Sequence, residues 1–152
     1  MLSEKMEKAF NEQFNAEYFS SYLYLSMAAY FESINLGGFA HWMQLQAKEE
    51  HEHAMKFFSH INERRGRVTL TAIEAPKTEW KSPLDVMEDV FKHEQKVTSL
   101  IHKLVALANS ENDYASQGFL QWFVKEQVEE EATADGIVQM LKMIKDGSHA
   151  II

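Results

Sequence analysis

Apolar side chains recur every three or four positions over four long stretches of the chain, which is the period of an α-helix with one buried face. The pattern predicts helices over residues 3–33, 39–64, 83–109 and 114–145. Ser3 can cap the first helix, and Ser82 followed by Pro83 is a typical start for the third. Tight turns are predicted at residues 35–38 and 110–113, and Gly66 is expected to end the second helix.

The connection between the second and third helices is long and has no helical period. Its roughly 16 residues could reach on the order of 50 Å when extended, and a helix of about 25–30 residues is roughly 40–45 Å long. The connection can therefore cross the length of a helical bundle. These features predict a single all-α domain over residues 1–152, an antiparallel four-helix bundle with one long crossover between helices 2 and 3.

One carboxylate interrupts the apolar face of each predicted helix, and these residues are Glu17, Glu50, Glu94 and Glu130. A buried carboxylate is costly unless a partner neutralises it or its pKa shifts. No Lys or Arg interrupts the same faces, so the partner must come from outside the chain. A divalent metal ion is the natural candidate, because carboxylates with an imidazole form a hard to borderline site.

The spacing of the neighbouring polar residues supports a metal site. Glu50 and His53 stand three positions apart, so both side chains leave the same face of helix 2. Gln127 and Glu130 repeat this spacing on helix 4, and Tyr24 lies two turns beyond Glu17. A single glutamate on a helix is usually solvated, and a single histidine is usually structural. Four carboxylates at matching levels of four helices are difficult to explain as independent accidents.

A second acidic group flanks these positions and consists of Glu49, Glu126 and Glu129. It could bind a cation or could simply form a charged outer face, and the sequence pattern alone leaves both interpretations open. Glu52 and Glu131 are interpreted as solvated. The remaining histidines of interest are interpreted as surface or packing residues, and they are His41, His51, His60, His93 and His102.

Charge and composition narrow the range of functions. The formal net charge of −8 disfavours nucleic-acid and anionic-membrane partners and attracts cations. The absence of cysteine excludes disulfides, iron–sulfur clusters and a thiol nucleophile. No apolar run resembles a signal peptide or a membrane span, so we expect a cytoplasmic protein.

Four motifs make the chain resemble a known family: "NAEYFSSYLYLSMA", "EEHEHAMKFF", "KHEQ" and "FLQWFVKEQVEEE". Together they resemble the non-haem ferritins of bacteria and archaea over nearly the whole chain. The resemblance implies a ferritin-like bundle and an iron-storage subunit with ferroxidase activity. Such a subunit oxidises Fe(II) with dioxygen or hydrogen peroxide and deposits a ferric mineral.

The resemblance also implies site residues, each by its matching position. The first iron site would contain Glu17, Glu50 and His53, and the second would contain Glu50, Glu94 and Glu130, with Glu50 bridging the two ions. A third iron site would contain Glu49, Glu126, Glu129 and Glu130. Gln127 matches a hydrogen-bonding residue near the oxygen-binding side, and Tyr24 and Trp122 match aromatic residues beside the centre.

Related families can be separated by single features. Bacterioferritins place a haem-binding methionine where this chain has Glu52, so we expect no haem. Rubrerythrins have a cysteine-rich domain, which a chain without cysteine lacks. Mini-ferritins that protect DNA often have basic tails, which do not occur here.

The segment "DGSHAII" suggests that most of a fifth helix is missing. A homo-oligomeric cage of 24 subunits is implied by the resemblance, but a smaller assembly is possible without that helix. Two alternatives therefore stay open: a carboxylate-bridged di-metal oxidase or peroxide scavenger in a small oligomer, and a purely structural bundle.

Overall fold

The computed structural model describes residues 1–146, which fold into four long α-helices without a β-strand. The helices are α1 (Glu4–Ser33), α2 (Gly37–Glu63), α3 (Pro83–Ser110) and α4 (Tyr114–Asp146). The bounds agree with the predicted ones to within two residues. The expected loss of a fifth helix concerns residues 147–152, which lie outside the described residues. Within residues 1–146, no helix combines the length and hydropathy that crossing a bilayer requires.

The predicted helix caps are confirmed. The Ser3 hydroxyl accepts the backbone N–H of Met6 at 3.2 Å, and the Ser82 hydroxyl accepts that of Asp85 at 3.1 Å. Pro83 is the first residue of α3, where its missing N–H leaves no helical hydrogen bond unmade. These local signals explain why the starts of α1 and α3 could be read from the sequence.

Three helices are followed, two positions after their last residue, by a residue in the left-handed region, and none of these residues is glycine. They are Asn35, Arg65 and Asn112, with φ angles of 60°, 61° and 54°. After α2 the left-handed residue is Arg65, one position before Gly66. Gly66 follows the left-handed residue and donates its N–H to Ile61 O at 2.8 Å, which closes the last turn.

Gly66 is required for space rather than for a positive φ. A Cβ added there would lie 2.9 Å from Ile61 Cγ2 and 3.1 Å from Leu2 Cδ1. Ile61 is fully buried, so it has little freedom to withdraw. The close approach lets the chain leave α2 while staying packed against the N-terminus.

The chain divides into two compact units, of which the first is Met1–Glu79. This unit contains α1, α2 and the crossover. The two helices are antiparallel, because successive residues along α1 contact residues of α2 with decreasing residue numbers. The Phe10 and Phe57 rings lie 5.8 Å apart, the Ser21 hydroxyl donates to Ala47 O at 2.7 Å, and Phe31 stacks on another ring, Phe39, at 4.9 Å.

The crossover follows α1 in the same direction as the helix. Asn11 Nδ2 donates to Arg67 O at 2.9 Å, and Asn15 Nδ2 donates to Ala72 O at 3.1 Å. Further along, the Ser26 hydroxyl donates to Lys77 O at 2.7 Å. The segment therefore returns to the end of the unit at which α2 begins, which confirms the prediction that it crosses the length of the helix pair.

The second unit begins at Trp80 and contains α3 and α4. These helices are also antiparallel, since Gln117 Nε2 donates to Ala108 O at 3.4 Å while Gln127 Nε2 donates to Thr98 Oγ1 at 3.1 Å. Near the unit's start, Trp80 Nε1 donates to Asp89 Oδ2 at 2.8 Å and its ring is buried. This bond fixes the chain just before the cap of α3.

The buried face of α3 includes the predicted carboxylate. Glu94 lies between other buried residues of this helix, among them Val97 and Ile101, whereas Thr98 is half-buried. A regular spacing of three and four cannot distinguish adjacent positions on the edge of a broad apolar face. The prediction that Glu94 lies on the apolar face of the third helix is confirmed.

Replacing Gly66 by alanine should destabilise the fold by about 1–3 kcal/mol, the usual cost of forcing an extra carbon into a packed site. The matched control is Gly37→Ala at the start of α2, where an added Cβ meets no atom within 4 Å. The control should change stability by less than about 1 kcal/mol. Denaturant midpoints at fixed protein concentration make the comparison, and equal midpoints for the two variants would contradict it.

Candidate metal centre

Glu17 on α1 lies opposite Glu50 and His53 on α2, midway along the first unit. The side chains are almost fully buried, with exposed fractions of 1%, 1% and 5%. One ligand atom from each residue lies within 4.8 Å of the other two. The structure thus brings together the three residues that the sequence predicted for the first metal site.

Glu50 and His53 are held together by helix geometry. Because they are three positions apart, His53 Nδ1 lies 3.2 Å from Glu50 Oε2. The contact is a hydrogen bond when Nδ1 holds the proton and an ion pair when the ring is fully protonated. Both side chains are therefore oriented before any ligand arrives.

Burial raises the pKa of Glu17 well above its ordinary value of 4.5. The negative charge of Glu50 and the hydrogen-bonding contact between the two carboxyl groups raise it further. His53 and the side-chain amide of Gln13 act in the opposite direction, but their effect is smaller. The raised pKa favours the protonated form of Glu17 where no cation is bound, and a bound cation would compete with that proton.

The donor set fits a divalent metal ion. Glu17 Oε2 is buried and receives no hydrogen bond from any residue in the described part of the chain. Two ligand atoms that bind one ion at about 2.0–2.2 Å lie at most about 4.4 Å apart, so the 4.8 Å limit of the group requires little movement. Two carboxylates and one imidazole suit first-row divalent ions such as Fe(II).

Gln13 is a site residue that the sequence reasoning missed. Its Nε2 donates to Glu17 Oε1 at 3.2 Å, and its side chain is only 4% exposed. Gln13 stands one turn before Glu17 on the same buried face of α1. A polar residue four positions from a buried carboxylate was the available signal.

A second acidic pair lies in the second unit. Glu94 on α3 is 1% exposed, Glu130 on α4 is half-buried, and a carboxylate oxygen of one lies within 4.8 Å of one from the other. Gln127 is 2% exposed and lies on the same helix as Glu130. Its Nε2 donates to the backbone oxygen of Glu94 at 3.1 Å. The predicted residues of helices 3 and 4 are thus neighbours.

The interpretation of Glu131 as a solvated residue was wrong. Glu131 is half-buried, and its Oε2 accepts the Thr98 hydroxyl at 2.5 Å. Among the histidines, His60 proves to be a packing residue: it is 7% exposed and meets the Phe10 ring edge-on at 5.2 Å. His53 remains the histidine that belongs to a group of possible metal ligands in residues 1–146.

The other predicted residues occupy different environments. Tyr24 is 1% exposed, whereas Trp122 is 39% exposed. Glu49 and Glu129 are exposed and Glu126 is half-buried. The described residues show no third group of three close metal-ligand side chains, so the third iron site stays a prediction.

Comparison with known proteins identifies the family. A family model for ferritin, described as the ferritin-like domain, matches residues 7–144. The chain belongs to the ferritin family. Among similar relatives, a bacterial non-heme ferritin from Bacteroides fragilis (strain 638R) is 49% identical over 146 residues, covering 96% of this chain and 92% of the relative. A bacterial non-heme ferritin from Staphylococcus saprophyticus is 42% identical over 151 residues, covering 99% of this chain and 90% of the relative.

Solved ferritin structures resemble this ferritin over nearly all of its length. An open pore ferritin from the hyperthermophilic archaeon Archaeoglobus fulgidus gives a TM-score of 0.95 at 54% identity, covering 99% of this chain and 92% of that one. A closed form of the same ferritin, engineered by mutagenesis, gives 0.96 at 54% identity, with coverage of 99% and 92%. The prediction of an all-α ferritin-like bundle, and the resemblance to non-haem ferritins, are confirmed.

Replacing Glu17 by glutamine should stabilise the metal-free ferritin at neutral pH, by on the order of 1–3 kcal/mol, because a neutral amide that can donate to Glu50 replaces a buried carboxyl that is repelled by it. The sign follows from the raised pKa. Between 4.5 and the raised value, the folded carboxyl holds a proton that the unfolded one has lost. Stability that is complete below pH 4.5 therefore decreases as pH rises through the folded pKa.

The measurement is the denaturant midpoint of chelator-treated protein between about pH 4 and about pH 8, at fixed concentration. The wild type should lose stability relative to Glu17→Gln as pH rises. Adding a divalent metal at neutral pH should reverse the order, because only the wild type keeps the full ligand set. Parallel pH curves for the two proteins would contradict the interpretation of Glu17.

Proposed function

We propose that this chain is the subunit of an iron-storage ferritin that oxidises Fe(II) to Fe(III) at a di-iron centre within each subunit. The observation that supports this most directly is the buried group of Glu17, Glu50 and His53. A catalytic site for iron oxidation needs hard anionic ligands shielded from bulk water, and this group provides both.

Glu50 is proposed to bridge the two iron ions. One of its oxygens faces His53 in the first unit, and a carboxylate has a second oxygen with which to bind another ion. The second ion would be held by Glu94 and Glu130, which are already neighbours in the second unit. On this proposal the two units form one ferritin-like domain over residues 1–152, in agreement with the family match to residues 7–144.

The chemistry assigns a role to each group. The carboxylates favour Fe(III) over Fe(II) because the harder, more highly charged ion gains more from anionic oxygen ligands. Two Fe(II) supply the two electrons that, with two protons, reduce one dioxygen to hydrogen peroxide. Glu17 loses its proton when iron binds, which makes iron uptake dependent on pH. Tyr24 and Gln127 are proposed to line the centre. Both side chains are buried, as such a position requires.

A third iron site at Glu49, Glu126, Glu129 and Glu130 is part of the proposal. Glu49 and Glu129 are exposed, and Glu126 and Glu130 are half-buried. Partly exposed carboxylates beside a buried centre would suit an ion that arrives or leaves rather than one held permanently. No haem is proposed, because an exposed glutamate, Glu52, stands where bacterioferritins have their ligand.

The subunit is proposed to assemble into a homo-oligomer of about 24 copies, because mineral storage requires an enclosed space. Support comes from the similarity to solved ferritins, one described as an open pore form and another as a closed form. The net charge of −8 favours the entry of cations into such an assembly.

Replacing Glu50 by alanine should lower the rate of Fe(II) oxidation by at least about 10–100-fold, because both proposed iron positions lose a ligand. Anaerobic titration should show about two tightly bound Fe(II) per subunit in the wild type and fewer in the variant. The matched control is Glu52→Ala, two positions along the same helix on its exposed side. An unchanged oxidation rate in Glu50→Ala would refute the ferroxidase proposal.

Iron loading in air should yield a large homo-oligomer that contains a ferric mineral. Size-exclusion chromatography combined with iron analysis tests this, because mineral and protein then elute together at the size of a cage. A small oligomer that oxidises Fe(II) but retains no mineral would refute storage. That result would favour an oxidase or peroxide scavenger instead.

A further inference from the structure

A network of hydrogen bonds that joins Gln127 to Glu94, Thr98 and Glu131 determines which way the Gln127 carboxamide points. Gln127 Nε2 lies 3.1 Å from Glu94 O and 3.1 Å from Thr98 Oγ1. Thr98 Oγ1 in turn lies 2.5 Å from Glu131 Oε2 and 2.9 Å from Glu94 O. All four residues belong to α3 and α4 of the second unit.

Counting the available protons shows which atoms of this network donate and which accept. Thr98 has one hydroxyl proton, and the short 2.5 Å contact indicates that Thr98 donates it to the Glu131 carboxylate. An ionised carboxylate only accepts hydrogen bonds. Thr98 Oγ1 is then left as an acceptor and needs a donor. Gln127 Nε2 has two protons and faces two acceptors, the Thr98 oxygen and the Glu94 backbone oxygen.

A flipped carboxamide would meet those acceptors with its own oxygen. Two repulsive oxygen–oxygen contacts would replace two hydrogen bonds, so the network selects one of the two amide orientations. Glu131 strengthens this selection, because its carboxylate and Glu94 O both accept from the Thr98 hydroxyl and so keep its proton from turning toward Gln127. The Gln127 oxygen is therefore held on the edge of the amide that points away from Glu94 O and Thr98.

We propose that Thr98 and Glu131 are positioning residues that fix the carboxamide of Gln127 with its oxygen presented as a hydrogen-bond acceptor at the iron centre. The proposal rests on the proposed ferroxidase function. The group it would receive is an O–H donor, either water or the hydrogen peroxide formed when dioxygen is reduced. Thr98 and Glu131 act only through Gln127.

The test compares Thr98→Val, which keeps the shape but removes the hydroxyl, with Thr98→Ser, which keeps the hydroxyl. In Thr98→Val, kcat for Fe(II) oxidation should fall by about 10-fold while the KM for Fe(II) and the number of Fe(II) bound stay unchanged. Thr98→Ser should restore the rate. The visible absorption spectrum of anaerobically bound Co(II) should change in Thr98→Val and return to normal in Thr98→Ser.

A double-mutant cycle separates positioning from a general structural effect. If Thr98 acts through Gln127, Thr98→Val should have no further effect on kcat in a Gln127→Ala background. The same cycle, measured on denaturant midpoints of the metal-free protein, should show coupling between Thr98 and Gln127. Absence of coupling in either measurement overturns the proposal, as does similar behaviour of Thr98→Val and Thr98→Ser.

Glu131→Ala provides an independent variant, and it should lower kcat in the same direction as Thr98→Val. Its matched control is Asp135→Ala, one turn further along α4, where the carboxylate accepts a hydrogen bond from the exposed side chain of Gln139 at 3.2 Å. Equal rates for the two variants would overturn the role of Glu131. Failure of the wild type to oxidise Fe(II) would instead refute the proposed function, so the two failures are distinguishable.

Discussion

The cost of burying negative charge is the constraint on which the rest of this structure depends. Glu17 and Glu50 are each 1% exposed and their carboxyl groups are in contact, so the pair cannot be fully ionised in the absence of a counter-charge. The raised pKa of Glu17 is the response of the metal-free protein. Helix packing, caps and the crossover provide the stability that keeps these groups buried, and a cation then relieves the repulsion.

The partners of the acidic groups explain how this charge is kept for a cation. Gln13 donates to Glu17, and Gln127 donates to the backbone of Glu94. An amide supplies a directed hydrogen bond without a positive charge, whereas Lys or Arg would neutralise the carboxylate and compete with the metal. Neutral donors on the apolar faces thus orient the site and leave its negative charge available.

The sequence predicted the helices and the central carboxylates because these features are local. Ser3 caps α1 through its own next turn, and the spacing of Glu50 and His53 fixes their common face whatever else the chain does. The partner of Glu131 could not be predicted in this way. Its bond to Thr98 spans 33 residues and depends on how α4 is rotated against α3. The role of Gly66 could not be predicted for the same reason, because it depends on Leu2, which is close to it in space but far from it in sequence.

The arrangement also argues against a purely structural role for the carboxylates. Replacing buried charges by apolar side chains of similar volume is often neutral or stabilising, so a bundle selected only for stability would have Leu or Met at positions 17 and 50. Carboxylates there weaken the metal-free fold, and only a ligand that binds the folded state can recover that stability by mass action. The net loss of stability caused by the buried carboxylates is smallest when the ligand is abundant and binds tightly. A protein that both oxidises iron and stores it meets this condition, because its substrate is also its cargo.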